Sequence, residues 1–94
     1  MNPRQQQIHA SLVSGFAPLV CEIEDESAMH AGHAGAASGG SHFRLRLVSA
    51  RFEGLNRVAR HRLVYDCLGK LMKTEIHALA LTLLTPAEAN QEVD

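Results

Sequence analysis

Two short segments in which apolar and polar residues alternate place the strongest constraint on the fold of this chain. Residues 19–24 read LVCEIE, and residues 42–49 read HFRLRLVS. A period of two is typical of a strand with one face in a core and the other in solvent. We therefore predict two half-buried strands that belong to one sheet.

The segment between these strands has few bulky side chains. It reads DESAMHAGHAGAASGGS and is rich in Ala, Gly, Ser and His. Such a sequence cannot contribute a core, so residues 27–41 are predicted to form a long mobile loop. Loops of this length in a compact domain are usually functional or disordered. Because one loop joins the two strands, we expect them to pair as an antiparallel hairpin.

Two helices are predicted, one before and one after the hairpin in the sequence. The first covers residues 3–16, starts at a proline and is stopped by Gly15 and Pro18. The second covers residues 57–72 and follows Asn56, a suitable N-cap. The apolar stripe expected on the first helix is Ile8, Leu12, Val13 and Phe16. That expected on the second is Val58, Val64, Tyr65, Leu68, Leu71 and Met72, with His61 near its middle.

The remaining elements complete an α-β-β-α-β order. Gly54 is predicted to take a positive φ in the turn before the second helix. Residues 76–84 form the third strand, and residues 86–94 a short helical or frayed tail. The second helix is long enough for a right-handed crossover, so strands two and three should be parallel. We predict one α+β domain over residues 1–94, with a three-stranded mixed sheet and its helices on the face of Phe43, Leu45 and Leu47.

The charges are unevenly distributed along the chain. Residues 43–73 hold eight of the nine basic residues and two acidic ones, Glu53 and Asp66. Such a stretch can mark a nucleic-acid surface, or it can be a solvated helix face beside an acidic strand. If the surface binds nucleic acid, the residues expected to do so are Arg57, Arg60, Arg62 and Lys70.

Other classes of function find little support in the composition. Cys21 and Cys67 have no metal-binding spacing, and both lie within apolar patterns, which indicates small buried hydrophobes in a reducing compartment. Neither has the neighbouring base that a nucleophile requires, and the acids between Glu22 and Glu26 have no evident partner, so we do not expect an enzyme. With no long apolar run and no secretory signal, we expect a cytoplasmic protein that does not bind membranes.

Several motifs in order resemble those of one protein family. The stretch HFRLRLVSARFEGLNRVARHRLVYDCLG, followed by EIHALAL, is similar to the BolA family. The shared features are an F-x-G turn, an R-H-R triplet followed by a tyrosine, and an H-A-L strand start. The similarity runs over roughly residues 8–85. It implies a class II KH-like fold, in line with the order of elements above.

The resemblance also implies a partner and a cofactor. Members pair with monothiol glutaredoxins, and the two proteins share a [2Fe–2S] cluster used in iron–sulfur trafficking or iron regulation. It implies that His77 is a ligand and that a second His or Cys comes from the loop between the first two strands. His30 fits that place best, His33 competes with it, and His42 is a weaker candidate.

The cluster needs four ligands, and the resemblance accounts for the other two through a cysteine of the partner and glutathione. We therefore expect no cofactor in the isolated protein, which should be a monomer or weak homodimer.

Some bacterial members are described as DNA-binding regulators, which is the alternative function. The turn FEGLNR contains Gly54 but no G-x-x-G, the motif with which KH domains clamp a nucleic-acid backbone. This absence argues against RNA binding in the KH manner but does not exclude DNA binding through the basic helix. A structural role is expected for His61, as a buried ring bonded to backbone.

Overall fold

The computed structural model describes residues 1–26 and 41–91, and its elements follow the predicted order. These elements are α1 (Pro3–Phe16), β1 (Val20–Asp25), β2 (His42–Val48), a 3-10 turn (Ala50–Phe52), α2 (Arg57–Leu68), α3 (Leu71–Thr74), β3 (Ala78–Leu84) and α4 (Pro86–Asn90). Most of the predicted loop, residues 27–40, lies outside the described residues, as do residues 92–94.

The sheet has the predicted mixed topology, with strand order β1-β2-β3. β1 and β2 are antiparallel, with Ile23 opposite Leu45. β2 and β3 are parallel, with Leu45 opposite Leu81. The α+β class, the hairpin and the parallel crossover pair are thereby confirmed.

One face of the sheet carries the core. Phe43, Leu45 and Leu47 on β2 are fully or almost fully buried, and they belong to one cluster with Ile8 of α1 and Val64 of α2. The alternate positions at the centre of β1 and β2 carry the charged residues Glu22, Glu24, Arg44 and Arg46. The helices therefore cover a single face of the sheet, as the alternating pattern predicts.

The helix ends follow from local side-chain chemistry. At α1, the Asn2 side chain accepts from the Gln5 backbone N–H while the Gln5 side chain accepts from the Asn2 N–H, which makes a capping box. At α2, Asn56 accepts a hydrogen bond from the N–H of Ala59 at 2.9 Å, so the predicted N-cap is confirmed. Gly54 has the predicted positive φ, at 77°.

The second helix is shorter than predicted. It ends at Leu68 because Gly69 has a φ of 50°, which a right-handed helix cannot accommodate. A separate short helix, α3, then covers Leu71–Thr74. β3 also begins later than predicted, at Ala78, so that Ile76 and His77 form the connection rather than the first strand residues.

The prediction of which helix residues face the core is partly wrong. Ile8, Leu12 and Phe16 of α1 are buried, but Val13 is 43% exposed. On α2 the buried positions are Val64 and Leu68, while Val58 and Tyr65 are 59% and 41% exposed. The face of α2 that packs on the core therefore excludes Val58 and Tyr65 and includes the partly buried Leu63 and Cys67.

The helices α1 and α2 approach each other closely at Gly15 and Cys67. A Cβ atom placed on Gly15 would lie 2.6 Å from Cys67 Sγ, nearer than real Cβ atoms come to other heavy atoms. The Cys67 thiol also donates to the Ser11 carbonyl at 3.2 Å. Both cysteines are free and half-buried, and burial raises the pKa of each thiol. They therefore act as packing residues, though neither is fully buried as predicted.

A capped helix follows β3. Thr85 and Glu88 form a capping box at the start of α4, in which Glu88 accepts from the Thr85 N–H at 2.8 Å. The predicted tail is therefore helical over Pro86–Asn90. Within residues 1–26 and 41–91, no helix is long and apolar enough to cross a membrane.

Candidate metal-binding end of the sheet

Two histidines lie side by side at the end of the sheet where β2 and β3 begin. The parallel register places His42, the first residue of β2, opposite Ala78, the first residue of β3, and His77 directly precedes Ala78. The ring centroids of His42 and His77 are 5.3 Å apart, and the ring planes are inclined by 55°. The sheet thus presents two imidazoles at one edge.

The backbone around His77 is fixed although its side chain is exposed. The N–H groups of His77 and Ala78 both donate to the carbonyl oxygen of Ser41, at 2.8 and 2.9 Å. The preceding residue, Ile76, is buried in the core, and its N–H donates to the Leu71 carbonyl at 2.9 Å. His77 therefore projects an accessible ring from a rigid attachment.

His42 is held from the other side of the same strand. Its carbonyl oxygen accepts from the Glu26 N–H at 2.7 Å, which extends the β1–β2 ladder by one residue. Its ring is half-buried, and the neighbouring Ser41 is almost fully buried. Arg4 of α1 donates to the Ser41 hydroxyl, so α1 also braces this end of the sheet.

Several charged and polar side chains form pairs at this end of the sheet. Arg44 Nε lies 3.0 Å from Glu26 Oε2, and Arg4 Nε lies 4.0 Å from Glu75 Oε1. Asn2 donates to the Asp25 carboxylate at 2.7 Å. The nearby carboxylates are therefore engaged with donors.

Ion pairs also connect the acids of β1 to the arginines of β2, since Glu22 Oε1 lies 3.8 Å from Arg46 Nη1. Together with the Arg44–Glu26 pair, this contact shows partners for these acids that were not evident in the sequence.

The predicted loop ligands cannot be compared with this arrangement. His30 and His33 lie outside the described residues. In the part of the chain that the structure describes, no three His, Cys, Asp or Glu side chains form a group that could hold a metal ion. The described residues thus offer a pair of imidazoles, and imidazole is a ligand that iron and zinc both accept. Such donors can contribute to a metal site whose other ligands come from elsewhere.

His61 does not occupy the buried position predicted for it. Its Nδ1–H donates to the Arg57 carbonyl one turn earlier, at 2.8 Å, but the residue is only half-buried. The ring centroids of His61 and Tyr65 are 6.4 Å apart, and the two rings meet edge-on. The bond to backbone agrees with the prediction, whereas full burial is wrong, because the core-facing side of α2 is carried by Val64 and Leu68.

The predicted basic surface is reduced by internal contacts. Arg60 donates to the Leu55 and Leu83 carbonyls and pairs with Glu88, and its side chain is 13% exposed. Arg51 donates to the Gly15 carbonyl and covers the Phe16 ring. Of the four residues predicted to bind nucleic acid, Arg57, Arg62 and Lys70 remain exposed. Arg60 instead borders a cleft of about 480 Å³ between α2 and β3.

Sequence reasoning gave His42 too little weight as a neighbour of His77. The two are 35 positions apart, and nothing in either local pattern indicates their proximity. The strand register brings them together, and register follows from pairing of the inward-facing residues of β2 and β3. A parallel alignment of Leu45 and Leu47 with Leu81 and Leu83 would have revealed the pair.

The chain is similar to known proteins over nearly its whole length. The family described as BolA-like protein matches residues 12–88. The chain is 41% identical over 86 residues to mouse BolA-like protein 1 and 39% identical over 84 residues to the DNA-binding transcriptional regulator BolA of Haemophilus influenzae. It is 43% identical over 93 residues to the chloroplastic and mitochondrial SufE-like protein 1 of Arabidopsis thaliana.

Structural similarity agrees with the sequence matches. The BolA domain of Arabidopsis SufE1 superposes with a TM-score of 0.83 at 42% identity, covering 94% of this chain and 98% of that one. The matched regions cover 92% of this chain and 61% of mouse BolA-like protein 1, 89% and 79% for the Haemophilus protein, and 94% and 25% for the SufE-like protein. This chain therefore spans a quarter to about four fifths of these relatives.

Proposed function

Because this chain belongs to the BolA-like protein family, we propose that it is a non-catalytic adaptor that pairs with a monothiol glutaredoxin to bind a [2Fe–2S] cluster. The supporting observation is the exposed ring of His77 on a backbone held by two hydrogen bonds to Ser41. A ligand on a rigid element and at an accessible edge can reach a metal centre that a second protein also contacts. The role served is iron–sulfur trafficking or iron regulation.

The ligand set follows from the donors that each component offers. The cluster takes four ligands, and we assign two imidazoles to this chain and two thiolates to the partner cysteine and glutathione. His77 is one of the imidazoles. His30 is our proposal for the second, with His33 as its alternative in the same loop. Imidazole must be neutral to bind iron, so the complex should lose its cluster in acid.

The decisive experiment reconstitutes the complex from this protein, a monothiol glutaredoxin, iron, sulfide and glutathione. Wild-type protein should give a heterodimer with a visible absorption spectrum that differs from that of the glutaredoxin homodimer. His77→Ala should abolish or strongly change that spectrum. His61→Ala is the matched control, because His61 is a half-buried histidine of α2 that bonds to the Arg57 carbonyl and is not one of the proposed ligands. A normal spectrum from His77→Ala, or no heterodimer from wild type, would contradict the proposal.

A second candidate function is DNA binding by a transcription regulator. Two observations favour it: the name of the Haemophilus relative, and the exposure of Arg57, Arg62 and Lys70. The ion pairs of Arg44, Arg46 and Arg60 weigh against an extensive basic surface. Salt dependence separates electrostatic binding to the phosphate backbone from a role confined to protein partners.

A further inference from the structure

We propose that His42 and His77 form a binding site for a divalent transition-metal ion in the isolated protein. The site is distinct from the shared cluster because it needs neither a partner nor the loop histidines. It uses a pair of rings that the fold already places together at 5.3 Å between centroids.

The spacing of the rings matches that of two histidines on one ion. With metal–nitrogen bonds of about 2 Å and a tetrahedral angle, the centroids of two bound imidazoles lie about 5 Å apart. The rings of His42 and His77 are inclined by 55° rather than stacked in parallel. An inclined pair, unlike a parallel stack, allows one nitrogen of each ring to face a common ion.

The backbone is already organised for this site. His42 begins β2, and the Ser41 carbonyl next to it accepts from both His77 and Ala78. The ladder that continues along β2 and β3 holds the two attachment points in a fixed register. Binding an ion would then cost the ordering of two side chains and no rearrangement of the strands.

The donors specify the class of ion. Two imidazoles suit Cu²⁺, Ni²⁺ and Zn²⁺, whereas Mg²⁺ and Ca²⁺ prefer oxygen ligands. Since no group of three protein ligands occurs in the described parts of the chain, water would complete the coordination. Affinity should follow the usual order, with Cu²⁺ bound more tightly than Ni²⁺ or Zn²⁺.

The site would also regulate the proposed function. His77 would belong both to this ion and to the cluster, so the two would compete for it. This consequence alone rests on the proposed function. The metal site itself is a property of the isolated chain.

The test is a titration of the isolated full-length protein. Calorimetry with Zn²⁺ should show one ion per chain, and substoichiometric Cu²⁺ should broaden the NMR signals of His42 and His77 before those of the other histidines. His42→Gln and His77→Gln should each weaken Zn²⁺ binding at least tenfold. Two double variants serve as matched controls, His9→Ala with His61→Ala and His30→Ala with His33→Ala, and both should bind Zn²⁺ as wild type does.

Three results would overturn the proposal. They are the absence of saturable one-to-one binding, binding that survives His42→Gln, and binding lost in the His30/His33 double variant. A circular dichroism spectrum and a thermal melt of each variant establish that it is folded, and Cu²⁺ broadening in the wild type locates the ion without any substitution. Because no glutaredoxin is present, failure here leaves the cluster complex untested, and failure to form that complex leaves this result intact.

Discussion

Arg60 of α2 and Glu88 of α4 form an ion pair in which Nη1 lies 2.6 Å from Oε1 and Nη2 lies 3.3 Å from Oε2. The same guanidinium donates to the Leu55 carbonyl at 2.9 Å and to the Leu83 carbonyl at 3.1 Å. Leu83 belongs to β3, whose outer edge has no partner strand among the described residues. Arg60 therefore ties together the turn before α2, the edge of the sheet and α4.

Arg60→Ala should destabilise the fold. It removes the donors for two backbone carbonyls and the partner of Glu88, so the free energy of unfolding should fall by about 1–3 kcal/mol. Arg57→Ala is the matched control on the same helix, and its exposed side chain should change stability by no more than about 0.5 kcal/mol. Urea unfolding of both variants checks this. Equal losses of stability in the two variants would show that the contacts of Arg60 do not stabilise the fold.

The ion pair also predicts a specific response to acid. The Arg60 hydrogen bond, followed by that of the Thr85 N–H, lowers the pKa of Glu88 from 4.5 to about 2. A carboxylate with a lowered pKa contributes stability above its unfolded pKa and loses that contribution as the pH falls toward the folded value. Wild type should therefore exceed Glu88→Gln in stability above pH 4.5, and the difference should shrink between pH 4.5 and 2. Urea unfolding of both proteins across this range measures it, and a constant difference would contradict the assignment.

The contact between Gly15 and Cys67 predicts that Gly15→Ala destabilises the wild type but stabilises the Cys67→Ala variant. Gly15→Ala in the wild type should destabilise by about 1–3 kcal/mol, because its Cβ would meet Cys67 Sγ at 2.6 Å. With Cys67→Ala the sulfur is absent, and Cys67 Cβ lies at an ordinary 3.8 Å. Gly15→Ala should then stabilise by about 0.5–1 kcal/mol, since alanine favours the helix.

A double-mutant cycle measured by urea unfolding tests the Gly15 prediction. Additive effects of Gly15→Ala and Cys67→Ala would mean that the two helices adjust without cost and that the close approach does not limit the side chain at position 15.

His77→Ala should affect the cluster more than the stability, and His61→Ala should affect the stability more than the cluster. His77→Ala should change the free energy of unfolding by less than about 0.5 kcal/mol, because the ring is exposed. His61→Ala should lower it by about 0.5–1.5 kcal/mol through loss of the bond to Arg57. Thermal melts and urea unfolding measure both. A His77→Ala protein that unfolds readily would indicate a structural role for that ring.

DNA binding through the exposed basic residues predicts a steep dependence on salt. Each phosphate contact releases counterions, so a triple substitution of Arg57, Arg62 and Lys70 to alanine should weaken binding and flatten the slope of log affinity against log salt concentration. Lys73→Ala serves as a control at the end of α3. Fluorescence anisotropy with a duplex at several salt concentrations provides the measurement. Affinity unchanged by salt and by the triple substitution would exclude this surface.

Local sequence chemistry was sufficient for most of the elements. The alternation in β1 and β2, the cap at Asn56 and the positive φ at Gly54 depend on residues a few positions apart, so short segments of the sequence predict them. The end of α2 was missed because the apolar pattern continues past Gly69 into Leu71 and Met72. There the backbone preference of one glycine outweighed the continuing pattern.

Tertiary structure decided which faces pack and which distant residues meet. Helical periodicity predicts that apolar side chains share a face, but Val58 and Tyr65 are exposed, whereas Val64 and Leu68 face the core and Cys67 lies against Gly15 of α1. His77 could be singled out from the sequence, whereas its proximity to His42 requires the parallel register of β2 and β3. That register is set by burial of side chains on both strands at once, and such pairing over long separations in the chain is a property of the folded sheet rather than of either segment.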